Sequence, residues 1–274
     1  MLYLERVPHP ALVPFVHTLW YSYDPLATHS RQRVLPTGRA QVVVSLACDS
    51  LTDANHPTDP RRASPPGLFL GLYSTYQHID TIDLAELIGI SFHPGGTLPF
   101  FPHSASLFSN CETDLENLWG ASFRTLRDRL RDLTTPAQKF DLLESFLLDQ
   151  FRRARVSALD RMVDHALKTI HAAPQIATVT ALARTTGLSS RRLSQIFREH
   201  VGVSPKLYCR IQRFQKTVLQ LHRGTEIPWP ELALACGYYD QSHFANDFRA
   251  FSGFSPTHYT ASTRPWSNHI NVDD

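Results

Sequence analysis

Two short segments carry apolar residues on one side only. In the first, Val179, Leu182 and Ala183 are followed by Leu193, Ile196 and Phe197, the spacing of one-sided helices. The stripe breaks at Thr186–Gly187–Leu188, which predicts a helix, a tight turn and a second helix opening at Ser189 or Ser190. Such a pair burying its stripes together is a helix-turn-helix. About fifty residues later the pattern returns. Trp229 to Cys236 predicts a first helix, Gly237–Tyr238–Tyr239 a turn, and Asp240 an N-cap for Gln241 to Ala250, with Phe244, Phe248 and Phe251 inward. Both units leave through the same signature, Gly202–Val203–Ser204–Pro205 and Gly253–Phe254–Ser255–Pro256. This is an internal duplication. A helix from Pro205 to His222, capped by Ser204 and closed by Gly224, bridges the copies.

The first 110 residues have strand texture instead. Segments 17–23, 41–48, 68–74, 78–84 and 87–92 are rich in β-branched and aromatic residues. Turn material separates them, at Leu35–Pro36–Thr37–Gly38, at a Pro- and Arg-rich loop from His56 to Gly67, and at Pro94–Gly95–Gly96. A small sandwich or barrel is expected. From Glu112 to Leu133, Leu115, Leu118, Trp119, Phe123, Leu126, Leu130 and Leu133 stand at helical spacings, and Thr135–Pro136 restarts a helix. Those stripes pack either on the sandwich or against a second copy. Residues 153–158 form the expected boundary, with Ser157 capping a helix from Ala158 to about His171. The expected fold class is therefore α+β and multidomain. A β-rich sensor-like domain with a helical extension (1–154) precedes an all-α double helix-turn-helix domain (155–266) and a polar tail (267–274).

Charge changes the picture more than composition does. The net charge of +2 hides a division: residues 1–154 hold 13 Lys/Arg against 16 Asp/Glu, while residues 155–266 hold 14 against 7. The basic excess coincides with the paired helices, which implies a polyanion partner and salt-sensitive binding. The polar faces of the second helices carry Arg191, Arg192, Ser194, Gln195 and Arg198, then Gln241, Ser242 and Asn246, groups able to read base edges. Cys48, Cys111, Cys209 and Cys236 are scattered, without metal or redox spacing. No signal-like or membrane-length apolar run is visible, so the expectation is a cytoplasmic chain with no membrane partner. His78, His93 and His103 lack metal-ligand spacing, and no phosphate-cradling glycine motif or nucleophile elbow occurs. A triad from Ser91, His93 and Asp83 requires assumed geometry, so no enzyme and no cofactor is expected. A non-specific architectural DNA binder is the rival reading, opposed by the base-reading side chains on both helices.

These motifs identify a resemblance. GYYDQSHFANDFRAFSGFSPTHY (237–259), GLSSRRLSQIFREHVGVSP (187–205) and the intervening LYCRIQRFQKTVLQL closely resemble the arabinose-regulator (AraC/XylS-type) class of bacterial transcription factors. Pro10-Ala11-Leu12, Leu35-Pro36-Thr37-Gly38 and the segment Gly89 to Gly96 are similar to an uncharacterised sensor-like domain paired with that module. The resemblance implies two reading helices in successive major grooves of double-stranded DNA. It places Arg191, Ser194 and Gln195 toward bases in the first, and Gln241, Ser242, Ala245 and Asn246 in the second. Chemistry agrees: Arg191 suits guanine, the amides suit adenine, and Ala245 suits a thymine methyl. Ser190, Arg192 and Arg198 are expected at phosphates. A small-molecule effector pocket would draw on Trp20, Tyr21, Arg39, Tyr73, Phe92 and His93, although core packing is the simpler reading of any single one of them. A homodimer, through the helical stripes that follow Glu112, and an RNA polymerase contact, should the chain activate transcription, are further candidate partners.

Overall fold

In the N-terminal half, strand alternation sorts side chains onto two faces of one sheet. The computed structural model describes residues 1–26, 28, 30–52, 63–154, 161–174, 176–222, 228–262 and 268–272. Its strands here are β1 (Leu2–Arg6), β2 (Val16–Tyr23), β3 (Arg31–Val34), β4 (Gln41–Ser45), β5 (Gly67–Leu70), β6 (Gln77–Asp80), β7 (Glu86–Phe92) and β8 (Glu112–Asp114). Six of them form an antiparallel sheet in the order β1-β2-β7-β4-β5-β8. Leu19, Tyr21, Val42, Val44, Phe69, Ile88, Ile90 and Phe92 make its buried face. Gly89 lies on the opposite face, where a Cβ would overlap the Trp20 ring.

Three helices follow: α1 (Leu115–Trp119), α2 (Ala121–Asp132) and α3 (Pro136–Arg153). The continuous helix expected from residue 112 is split. Residues 112–114 pair with β5 as a strand, and Gly120, at φ 59° and ψ −145°, breaks the helix in a conformation suited to glycine. The apolar stripe of this segment is satisfied within the chain, because Leu115, Trp119, Phe123, Leu126, Leu130, Phe140, Leu143 and Leu147 join the core of the large sheet. Its second layer is thus helical. The buried Lys139 ammonium pins the layers together, donating to the Leu130 carbonyl at 2.8 Å and pairing with Glu86 at 3.1 Å.

The helical half holds α4 (Arg161–Ala172), α5 (Val179–Thr186), α6 (Ser190–Val201), α7 (Pro205–His222), α8 (Trp229–Ala235), α9 (Gln241–Ser252) and α10 (Pro256–Ala261). The expected cap Ser157, the closing residue Gly224, the start of the second unit at Ile227 and most of the loop from His56 lie outside the described residues. One expectation is corrected. The segment read as a polar tail contains β9 (His269–Val272), which pairs antiparallel with β3 across four residues. The physical reason is a single buried side chain: Ile270 is fully enclosed in the core of the helical half, as are Leu35 and Leu72 from the N-terminal half. Strands β6, β3 and β9 form a second, three-stranded sheet between the two halves.

Candidate nucleic-acid interface

Each helix-turn-helix is set by local caps. Thr178 caps α5 by accepting from the Ala181 N–H at 3.1 Å, and Gly187 ends it in the left-handed region at φ 69°. Ser189 then caps α6, accepting from the Arg192 N–H at 3.2 Å. In the second unit Asp240 caps α9 through the His243 N–H at 2.7 Å. Each such cap stabilises its helix by about 1 kcal/mol. Both reading helices end at a left-handed glycine, Gly202 and Gly253, and in both exits the serine caps the next helix. The duplicated signature therefore folds the same way twice.

Between the units, α7 supplies the common wall. Leu182, Leu193, Ile196 and Phe197 of the first unit and Leu232, Phe244, Phe248 and Phe251 of the second share one core with Tyr208, Ile211, Phe214 and Val218. Phe214 lies 5.2 Å from Phe248 and 5.1 Å from Phe251, ring centre to ring centre. Polar groups of α7 fix the second unit further. Arg213 donates to the Gly237 carbonyl at 3.0 Å and Lys216 to the Ala235 carbonyl at 2.9 Å, both where α8 ends and cations are favoured. Arg210 clamps the buried Asp247 carboxylate with two bonds, at 2.7 and 3.3 Å. Removing Arg210 would leave the Asp247 carboxylate buried without its partner, at a cost of about 3 kcal/mol. Asp247 is thereby turned away from the polar face of α9, and the partly exposed His243 places its Nε2 3.9 Å from that carboxylate.

The faces left over are polar. On α6, Ser190, Arg191, Arg192, Gln195 and Arg198 are exposed and Ser194 is half-buried. On α9, Gln241, Ser242 and Asn246 are exposed and Ala245 is half-buried. None of the residues expected to meet DNA is therefore buried, and the inward positions of α6 and α9 are apolar apart from Asp247 and Ser252. Two side-chain partners on these helices were not identified in the sequence. Gln195 donates from Nε2 to Glu199 at 2.9 Å, an i,i+4 pair that the spacing alone could have flagged. The Arg210–Asp247 clamp spans 37 residues and leaves no local signal.

The six residues expected around an effector do not converge. Tyr21 and Phe92 point into the core of the large sheet, whereas Trp20, one residue along β2 from Tyr21, points to the other face and stacks on Tyr3. The Tyr21 hydroxyl donates to Glu86 at 2.9 Å, and burial raises its pKa. Tyr73 is half-buried, and burial, helped by Glu112, raises its phenol pKa too. His93 and Arg39 lie where the N-terminal half meets α4 and α7. The His93 ring stands 5.2 Å from that of His17, the extra residue at a bulge in β2. Burial, with help from His17 and Arg39, lowers the His93 pKa to about 4, and burial lowers that of Arg39. The crevice that His93 lines with Thr97, Phe108, His200 and Val201 has a volume of about 10 Å³, room for one water. A ligand-sized groove of about 380 Å³ lies instead on the helical half, between the end of α4 and α7, lined by His171, Pro174, Gln212, Gln215, Lys216 and Leu219. Among the described residues, no group of three His, Cys, Asp or Glu side chains is arranged to hold a metal ion, and no helix is long and apolar enough to cross a membrane.

Residues 182–262 match a family model described as a helix-turn-helix domain, and residues 4–114 match a domain of unknown function (DUF6597). The arabinose operon regulatory protein of Escherichia coli (strain K12) is 28% identical over 137 residues, 48% of this chain and 47% of that protein. The chain thus spans about half the length of this curated relative. Among solved structures, a probable AraC family transcriptional regulator from Rhodopseudomonas palustris CGA009 is 30% identical, with 39% of this chain and 100% of that chain covered and a TM-score of 0.35. ToxT from Vibrio cholerae is 10% identical, with 95% of this chain and 97% of that chain covered and a TM-score of 0.42. Two capped helix-turn-helix units on one bridging helix, in a chain 30% identical in sequence to the Rhodopseudomonas palustris regulator over the whole of that protein, place the chain in the AraC family.

Proposed function

We propose that the chain is a sequence-specific DNA-binding transcriptional regulator that inserts α6 and α9 into successive major grooves. The observation that carries this reading is the pair of exposed, base-competent faces on two helices sharing one core through α7. Arg191, Ser194 and Gln195 read bases from the first helix, and Gln241, Ser242, Ala245 and Asn246 from the second. Ser190, Arg192 and Arg198 hold phosphates, with the N-terminus of α6 behind Ser190. The N-terminal half modulates this binding, through a small molecule or through association with a second copy.

Selection from random DNA at two salt concentrations tests the reading. A motif with two half-sites about one helical turn apart is expected to persist at the higher salt. Arg191→Ala or Gln241→Ala should relax the motif at one or two positions, whereas Arg198→Ala should weaken all sequences alike. Recovery of no motif, or of a mixture that vanishes with salt, would leave only a non-specific binder.

A further inference from the structure

The N-terminal half holds the exits of both reading helices. At the end of α6, Ser104 donates to the Glu199 carbonyl at 3.5 Å, and a Cβ added to Gly202 would sit 3.1 Å from the Ala105 carbonyl oxygen. At the end of α9, Arg33 of β3 donates to the Ser252 carbonyl at 3.4 Å, and the same guanidinium lies 4.0 Å above Phe254 and 4.3 Å above Tyr76. Its Nε donates to His78 at 3.2 Å. The Arg33 and Tyr76 side chains occupy the space that a Gly253 side chain would need. Between the two exits, Gln215 of α7 donates to the Pro36 carbonyl and to Asn268, both at 2.8 Å, and Gly38 packs on Tyr208, Ile211 and Gln212. Beyond the second unit the chain returns as β9 to pair with β3 itself, so Arg33 sits in a strand tied on both sides. The crevice beside the α6 exit has room for a single water, which leaves little slack.

From this three-point attachment we infer that the N-terminal half acts as a gauge for DNA site spacing, with Arg33 as the positioning residue that holds the second reading helix. The inference rests on the two-headed reading proposed above. Two helices joined only through α7 and the core they share with it would keep some play with which to follow half-sites that shift apart. Two helices also fixed at their exits would not, because each added base pair moves a half-site by about 3.4 Å and rotates it by about 34°. Arg33 does this through a flat cation between two rings and a carbonyl, a role that an ammonium fills poorly.

The test uses the full chain, its Arg33→Ala, Arg33→Lys and Tyr76→Ala variants, and the site recovered by selection, intact or with one base pair inserted between the half-sites. The wild type should lose about 100-fold in affinity on the insertion. Arg33→Ala and Tyr76→Ala should lose less than about 10-fold, while their affinity for the intact site falls only a few-fold, and Arg33→Lys should behave like Arg33→Ala. Hydrogen exchange should quicken at 252–254 and along β3 in these variants and stay unchanged across α5 and α6. An equal insertion penalty in wild type and in variants whose α9 exit has loosened would overturn the gauge alone. So would an exit that stays protected in Arg33→Ala. A wild type that selects no motif would overturn the two-headed reading and the gauge together.

Discussion

Gln195 is the base-reading candidate whose side chain is already engaged. Its amide donates to Glu199 one turn along α6, so under the proposed reading it exchanges that bond for a base edge when DNA arrives. Glu199 also brings a carboxylate to a helix otherwise dressed with Arg191, Arg192 and Arg198. Replacing it with neutral glutamine keeps the size and removes the repulsion from phosphate. Glu199→Gln is therefore expected to raise affinity for all sequences about 5-fold, roughly 1 kcal/mol, with the larger gain at low salt. Titrations at two salt concentrations check this. An unchanged affinity would place Glu199 away from the duplex, and Gln195 with it. Asp247 shows the opposite solution on α9, where an acid on a reading helix is neutralised by being turned inward onto Arg210.

Among the elements, β9 depends most on its surroundings, and acid should loosen it. His269 packs beside Gln32, and burial lowers its pKa to about 4, below the ordinary 6.5. The unfolded chain then binds a proton between those values that the folded chain refuses, so stability falls as the pH drops from about 6.5 to 4 and is fully present above 6.5. His269→Gln should flatten part of that acid limb, by about 1–3 kcal/mol, in melting curves taken across the window. Parallel curves for wild type and variant would remove His269 from the account. Burial also lowers His17, His78, His93 and His171, so the limb should shrink and not vanish. The same strand shows where legibility ended. The helix-turn-helix units could be read because their signals are local: Ser189, Asp240, Gly202 and Gly253 each act within four residues. Strands β3 and β9, Arg-Gln-Arg-Val and His-Ile-Asn-Val, look like loop and tail, and become strands only because they meet across more than 230 residues and bury Ile270. The scatter of the effector candidates has a similar cause. Trp20 and Tyr21 are neighbours in sequence, but the pleat sends them to opposite faces.

At the scale of the whole molecule, the proposed function gives one chain two reading helices, which bears on how many copies a DNA site needs. The basic excess lies in residues 155–266, and the acidic excess in residues 1–154, so the field around the chain is strongly two-sided. Such a chain should approach the duplex with its helical half first and keep its N-terminal half away from the phosphates. A second copy on the same two half-sites would find both grooves taken. The expectation is one chain per two-half-site DNA, with binding first order in protein and a salt slope set by the phosphate contacts of one chain. Arg198→Ala should reduce that slope by about one, since one counterion fewer is released, and leave the stoichiometry untouched. Sedimentation of the complex at protein concentrations spanning the midpoint checks the stoichiometry, and affinities measured at several salt concentrations check the slope. Two chains on a single pair of half-sites would mean that the heads of one chain do not read together, and recognition would then have to be assigned to a dimer.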